Sequence, residues 1–174
     1  MAKDSHPEDP RTAHASSVVP APPDVVFATL TDIARLPDWN AVMTNVVDQP
    51  AVFAVGSEWV VAFHALGRTW RSRSTVEELD LAGRRFAYRS STDDGNPSHA
   101  QWAWTVSDDP AGSRVTVTWT LHPVTFWRRV LLVRVRSRQL ARTELPASLS
   151  ALAALATAEG PVAPAGTQVT SDDQ

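Results

Sequence analysis

The sequence predicts an α+β fold: a curved antiparallel sheet of about six or seven strands wrapped around a long C-terminal helix, with two short helices after the first strand. Three observations carry this. From Glu58 to His122 the chain alternates apolar and polar residues with a two-residue period, interrupted by Gly, Pro and Asp turns. Ahead of this region a short strand hands over to a one-sided helix at a proline-rich corner, and behind it runs a leucine-spaced segment long enough to cross a sheet. Strands that are apolar on one face need a cover, and the leucine-spaced segment is the only candidate.

The first strand, residues 16–19, ends at Pro20, which has no N–H for a central ladder, while Pro22 and Pro23 suit the first turn of a helix, where amide donors are unsatisfied anyway. Val26, Phe27, Leu30 and Ile33 then fall at helical spacing, and Asp24 complements the positive helix end. Thr31 and Asp32 can cap a second helical turn, which Pro37 is expected to stop, leaving Trp39 to plug one end of the core.

The stretch SVVPAPPDVVFATLTDIARLPDWN, residues 17–40, resembles the opening of the START/Bet v 1-like helix-grip (SRPBCC) superfamily, in its bacterial polyketide cyclase/dehydrase and lipid-transport-like branch. The shared features are a strand ending in a small-Pro corner, a helix carrying Val and Phe, then Thr-Asp and Pro-x-Trp. The resemblance continues less specifically to about Leu155. It implies the helix-grip architecture and a cavity for a hydrophobic small molecule, and it identifies a fold more than a chemistry.

The strands follow in order. Residues 42–47 read as a short strand, broken by Gln49-Pro50 and Val55-Gly56. Residues 58–66 alternate around Trp59, Val61 and Phe63; residues 69–79 set Trp70, Ser72, Ser74 and Val76 against Arg71, Arg73 and Thr75; residues 84–91 set Phe86 and Tyr88 against Arg85 and Arg89. After Asp94-Gly95-Asn96-Pro97, residues 98–106 place Trp102 and Trp104 on one face. After Asp109-Pro110-Ala111-Gly112, residues 114–122 set Val115, Val117, Trp119 and Leu121 against three threonines. In residues 139–156, Leu140, Leu145, Leu149, Leu152 and Leu155 repeat at helical spacing, and Pro146 should kink or divide the helix near Arg142.

A chain of 174 residues suits one domain, expected over residues 13–158, with polar Pro-containing tails at 1–12 and 159–174. There is no cysteine, which excludes disulfides and thiolate metal sites. The first residues carry no apolar leader and no run approaches the ~18 apolar residues of a membrane span, so the expected compartment is the cytoplasm. A net charge of −3 argues against a nucleic-acid partner. Seven tryptophans against one tyrosine is the unusual feature of the composition, and such large rings must dominate the interior.

No Gly-rich nucleotide loop, Gly-x-Ser-x-Gly elbow or His-Glu-x-x-His motif is present, and no cofactor or metal is expected. The default site is therefore a cavity between sheet and helix. Strand parity turns Trp59, Val61, Phe63, Trp70, Phe86, Tyr88, Trp102, Trp104, Val117 and Trp119 inward, together with Ser72 and Ser74. This wall suits a flat or long apolar ligand oriented by Tyr88 and the serines; the plain alternative is that the rings simply fill the core. His64, His99 and His122 fall on the outer parity, so no catalytic residue is assigned and Tyr88 is the one titratable group placed inside. Three functions stay open: binding of a hydrophobic polyketide, lipid or similar metabolite; a polyketide cyclase/dehydratase-like enzyme using the same cavity; and contact with an anionic membrane surface through Arg128, Arg129, Arg134, Arg136, Arg138 and Arg142, against which stands the simple reading of a solvated basic face.

Overall fold

A computed structural model describes residues 12–65, 67–124 and 140–159. The chain opens with β1 (Thr12–Val19), turns into α1 (Pro23–Thr31), and passes through a 3-10 turn (Ile33–Arg35) to α2 (Leu36–Trp39). It then lays down β2 (Met43–Asp48), β3 (Glu58–Ala65), β4 (Arg68–Asp80), β5 (Arg85–Thr92), β6 (His99–Asp109) and β7 (Gly112–His122). A π-turn (Leu140–Glu144) leads into the C-terminal helix α3 (Leu145–Glu159). The seven strands form one antiparallel sheet in the order β1-β7-β6-β5-β4-β3-β2. This is the architecture expected from the sequence.

Three details differ. The first strand begins at Thr12 instead of Ser16, because Thr12, Ala13, His14 and Ala15 continue the ladder against β7 as far as Thr120. Pro37 does not stop a helix but sits in the first turn of α2, where its missing N–H costs nothing. Trp39 is consequently the last residue of that helix and is buried, edge-on to Trp104 at 5.9 Å. The π-turn hands over to α3 at Leu145, one residue before Pro146, which is the division expected from that proline. Of the expected tails, Thr12 and Glu159 belong to β1 and α3; residues 1–11 and 160–174 lie outside the described residues.

Bulges between Met43 and Asn45, Val46 and Asp48, and Val76 and Glu78 bend the sheet on the β2 side. α1, α2 and α3 cover its inner face. From α3, Leu145, Leu149, Leu152 and Ala156 enter the core at i, i+4, i+7 and i+11. The far end of α3 is fastened to the first helices: Glu159 takes an ion pair from Arg35 and a 3.0 Å hydrogen bond from the Thr29 hydroxyl. On the outer face Arg73 pairs with Asp93 and Glu58, and Arg85 with Glu78 and Asp80. Exposed pairs of this kind add little to stability, because water and salt screen them. Among the described residues no helix is long and apolar enough to cross a membrane.

The proline corner that opens the fold rests on the start of β7. The buried Ser113 hydroxyl donates to Ala21 O at 3.0 Å, and Gly112, at φ +131°, lies so close to the corner that an added Cβ would stand 2.9 Å from both Ala21 N and Pro20 Cα. Gly112→Ala is therefore expected to destabilise by roughly 2–4 kcal/mol through backbone strain and overlap. Urea denaturation checks this, and a loss below about 0.5 kcal/mol would contradict the close approach.

Candidate functional site

The alternation read from the strands places one aromatic layer on the inner face. Tyr88 stands at its centre, with Trp59 at 5.1 Å, Phe86 at 5.2 Å and Trp102 at 6.2 Å between ring centroids. Trp119 lies a further 6.2 Å beyond Trp102. Phe53, from the loop between β2 and β3, folds in against Trp59 and Phe86 at 6.0 and 5.6 Å. These rings pack on one another and leave a cavity of about 50 Å³ beside the start of α3. That is room for a few water molecules and well short of the ~300 Å³ at which drug-sized pockets begin.

On the sheet side the cavity is lined by Phe63, Ser74, Tyr88, Ser90, Trp102 and Trp104. On the helical side stand Asn40, Val42 and Met43 after α2, and Leu140, Glu144, Leu145 and Ser148 from the π-turn and α3. Of the residues expected at a ligand, Phe63, Ser74, Tyr88, Trp102 and Trp104 thus meet at the cavity. Trp59, Val61, Phe86, Val117 and Trp119 face the same interior but are buried in the packed core. Ser72 is buried and gives its hydroxyl to Ser91 O at 2.9 Å, and Trp70, half-buried near the end of its strand, stacks on Phe63 at 5.4 Å.

Several lining residues were not singled out from the sequence. Ser90 shares the parity of Phe86 and Tyr88 and could have been included on that ground. Glu144 is the important omission: it is only 6% exposed, and with Leu140 and Ser148 it forms an i, i+4, i+8 row beside the leucine stripe. That spacing was available in the sequence, but the expected break at Pro146 obscured it.

The polar atoms are held by specific bonds. Ser148 Oγ accepts from Ala41 N at 3.0 Å, Asn40 Oδ1 accepts from Val42 N at 3.2 Å, and Ser90 Oγ accepts from the Trp102 indole at 3.1 Å. Burial pushes the Tyr88 phenol well above its ordinary range, and a hydrogen bond with Trp104 opposes this only in part. A raised phenol stabilises the fold in its neutral form. That contribution is complete below the unfolded value near 10 and is lost as pH rises through the higher folded value. Because Tyr88 is the single tyrosine, phenolate absorbance reports it alone. The phenolate signal is expected to stay absent past about pH 11 and to appear together with unfolding; its appearance near pH 10 in folded protein would contradict the burial.

His64, His99 and His122 lie outside the cavity. His99 and His122 stack at 4.6 Å as a cross-strand pair, His122 Nε2 is 2.9 Å from Gln101 Oε1, and the exposed His64 bonds Thr69 at 3.1 Å. Among the described residues no group of three or more metal-ligating side chains stands together. Arg142 is exposed, while Arg128, Arg129, Arg134, Arg136 and Arg138, on which a membrane-surface role rests, lie outside the described residues.

A family model described as polyketide cyclase / dehydrase and lipid transport matches residues 10–157. No curated protein matches the chain. Among solved structures, the chain is similar to the Zhui aromatase/cyclase from Streptomyces sp. R1128, with 20% identity, a TM-score of 0.68, and coverage of 87% of this chain and 99% of that one. It is also similar to the di-domain aromatase/cyclase StfQ from the steffimycin biosynthetic pathway (12% identity, TM-score 0.69, 86% of this chain and 51% of that one). A third likeness is to major latex-like protein 151 from Panax ginseng, at 11% identity and a TM-score of 0.64, covering 83% of this chain and 95% of that one. At these identities the likenesses establish a shared fold.

Proposed function

Since the chain belongs to the polyketide cyclase / dehydrase and lipid transport family, we propose that it binds a hydrophobic small molecule, a polyketide, lipid or similar metabolite, in the cavity between the sheet and α3. The observation that carries this reading is a cavity walled by Phe63, Tyr88, Trp102 and Trp104 with a few polar groups among them. Affinity comes from apolar area removed from water, at roughly 25 cal/mol per Å². A ligand larger than a few waters needs the wall to yield, and the weakest part of it is the twice-bulged edge strand β2, which supplies the half-buried Met43.

Among the described residues Trp102 and Trp104 line the cavity, so fluorescence titration with a panel of aromatic ketones, fatty acids and isoprenoids reads occupancy directly. Saturable quenching at micromolar concentration is expected for at least one class. No response across the panel, with an unshifted melting temperature, would sink the reading.

A second reading, a cyclase- or dehydratase-like enzyme, is favoured by one observation: Tyr88 and the buried Glu144 border the same cavity, an acid/base pair in an apolar site. It predicts that Tyr88→Phe lowers turnover of a poly-carbonyl substrate by about 10²–10⁴-fold with affinity nearly unchanged. Turnover unaffected by the change would eliminate a proton-transfer role for the phenol.

A further inference from the structure

His99 and His122 are the terminal pair of the β6–β7 ladder, on the outer face of the sheet and away from the cavity. Directly opposed residues on antiparallel strands carry their Cβ atoms about 5 Å apart. These two rings stack at 4.6 Å and 15° from parallel, and both are partly exposed. The strand ends beneath them are clipped together by Ser98 Oγ, which accepts from Val124 N at 3.0 Å.

What sets the pair apart from a plain ring stack is where its hydrogens lie. Pro97 O, 3.4 Å from His99 Nδ1, can only accept, so that nitrogen carries the hydrogen. Gln101 turns its amide nitrogen to Glu77 Oε2 at 3.3 Å, because a carboxylate accepts. Gln101 Oε1 therefore faces His122 Nε2, at 2.9 Å, and takes a hydrogen from it. In the neutral rings this leaves lone pairs on His99 Nε2 and His122 Nδ1, neither of which has a hydrogen-bond partner among the described residues. A ring whose other nitrogen donates to a carbonyl, or to a group backed by a carboxylate, is the arrangement in which histidine ligates metals.

We infer that His99 and His122 form a two-histidine site for a divalent transition-metal ion, with His99 Nε2 and His122 Nδ1 as ligands and Gln101 as the residue that positions His122. The described residues bring no third ligating side chain to the pair, so water completes the coordination and the site is open and exchangeable. Imidazole nitrogen suits copper, nickel and zinc, whereas magnesium and calcium take oxygen ligands. Metal–nitrogen bonds of about 2.0–2.1 Å bring the two nitrogens to about 3 Å, so the rings give up the stack and tilt toward one another about their Cβ atoms. Their partial exposure leaves room for that movement. Arg89, the register partner of Gln101, is paired with Glu77 at 3.8 Å, which offsets its repulsion of a cation. The site stands on the face of the sheet opposite the cavity, so it does not depend on the ligand-binding reading.

Calorimetric titration of the full chain with copper, zinc, nickel and magnesium chlorides, at neutral pH in a non-coordinating buffer, tests this. Saturable binding is expected for the first three, tightest for copper, and none for magnesium. His99→Ala and His122→Ala should each weaken zinc binding by more than about tenfold, and Gln101→Ala by about tenfold with both ligands still in place. His6→Ala, His14→Ala and His64→Ala should leave it unchanged. Because the ion joins β6 to β7, zinc should raise the melting temperature of the wild type but not that of His122→Ala. Should a variant fail to fold, histidine ¹⁵N spectra of the wild type decide: added zinc should show one ring ligating through Nε2 and a second through Nδ1, with the other nitrogen of each still protonated. Zinc binding that survives the loss of both histidines, or that falls with His6 or His14 instead, would overturn the site. So would the absence of saturable copper or zinc binding up to about 1 mM.

Discussion

Trp119→Ala is expected to cost about 3–5 kcal/mol of folding stability, a third or more of what a domain of this size has. The side chain is fully buried on β7, between β1 and β6: its register partners are Ala13 and Trp102, and its ring lies 6.2 Å from that of Trp102. Removing it leaves a hole that the flanking strands cannot close without breaking the ladder on both sides. Trp119→Phe is expected to cost far less than the lost ring area suggests. The indole Nε1 is buried with no hydrogen-bond partner among the described residues, so the substitution also removes an unsatisfied donor whose burial is worth about 1–3 kcal/mol against the fold. Guanidinium unfolding of both variants at an unchanged m-value checks this pair of effects. A Phe variant as unstable as the Ala variant would show that the indole N–H is satisfied after all.

Met43→Trp is expected to abolish ligand uptake while sparing the fold. Met43 lines the cavity from edge strand β2, where a bulge follows it, so the backbone can absorb a larger side chain better than a central strand could. An indole is bulkier than the thioether by about as much as the cavity holds, and filling the space should weaken binding at least a hundredfold, about 3 kcal/mol, with a stability change under about 1.5 kcal/mol. Ligand panels measured against wild type and variant give the answer. Undiminished binding in a folded Met43→Trp protein would place the ligand elsewhere.

Much of this fold was legible because a two-residue period leaves little freedom. On β7 the alternation of Val115, Val117 and Trp119 with threonines fixes which residues face the core, and the observed burial follows it. What escaped lay where no period operates. Phe53 sits in the loop between β2 and β3, so nothing in its neighbours announced that it would fold back onto Trp59 and Phe86. Pro37 was read as a stop because the same residue serves both the end of one helix and the first turn of the next. The site was half legible for the same reason. Strand parity brought forward Phe63, Ser74, Tyr88, Trp102 and Trp104, whereas Asn40, Val42 and Met43 depend on how the turn after α2 lies against the sheet. Glu144 carried a usable helical spacing beside Leu140 and Ser148, hidden by the proline that follows it. The number of rings was plain from composition, but how much space their packing leaves is a matter of fractions of an ångström, which no pattern of residue types encodes.

Native mass spectrometry of the protein as purified, followed by organic extraction of whatever it releases, tests the central claim most directly. A stoichiometric apolar adduct, lost in Met43→Trp, is the predicted result. A clean ligand-free mass that stays unchanged after incubation with a mixed lipid and polyketide panel would contradict the account: the tryptophans would then fill the interior for stability alone, and the cavity would hold only water.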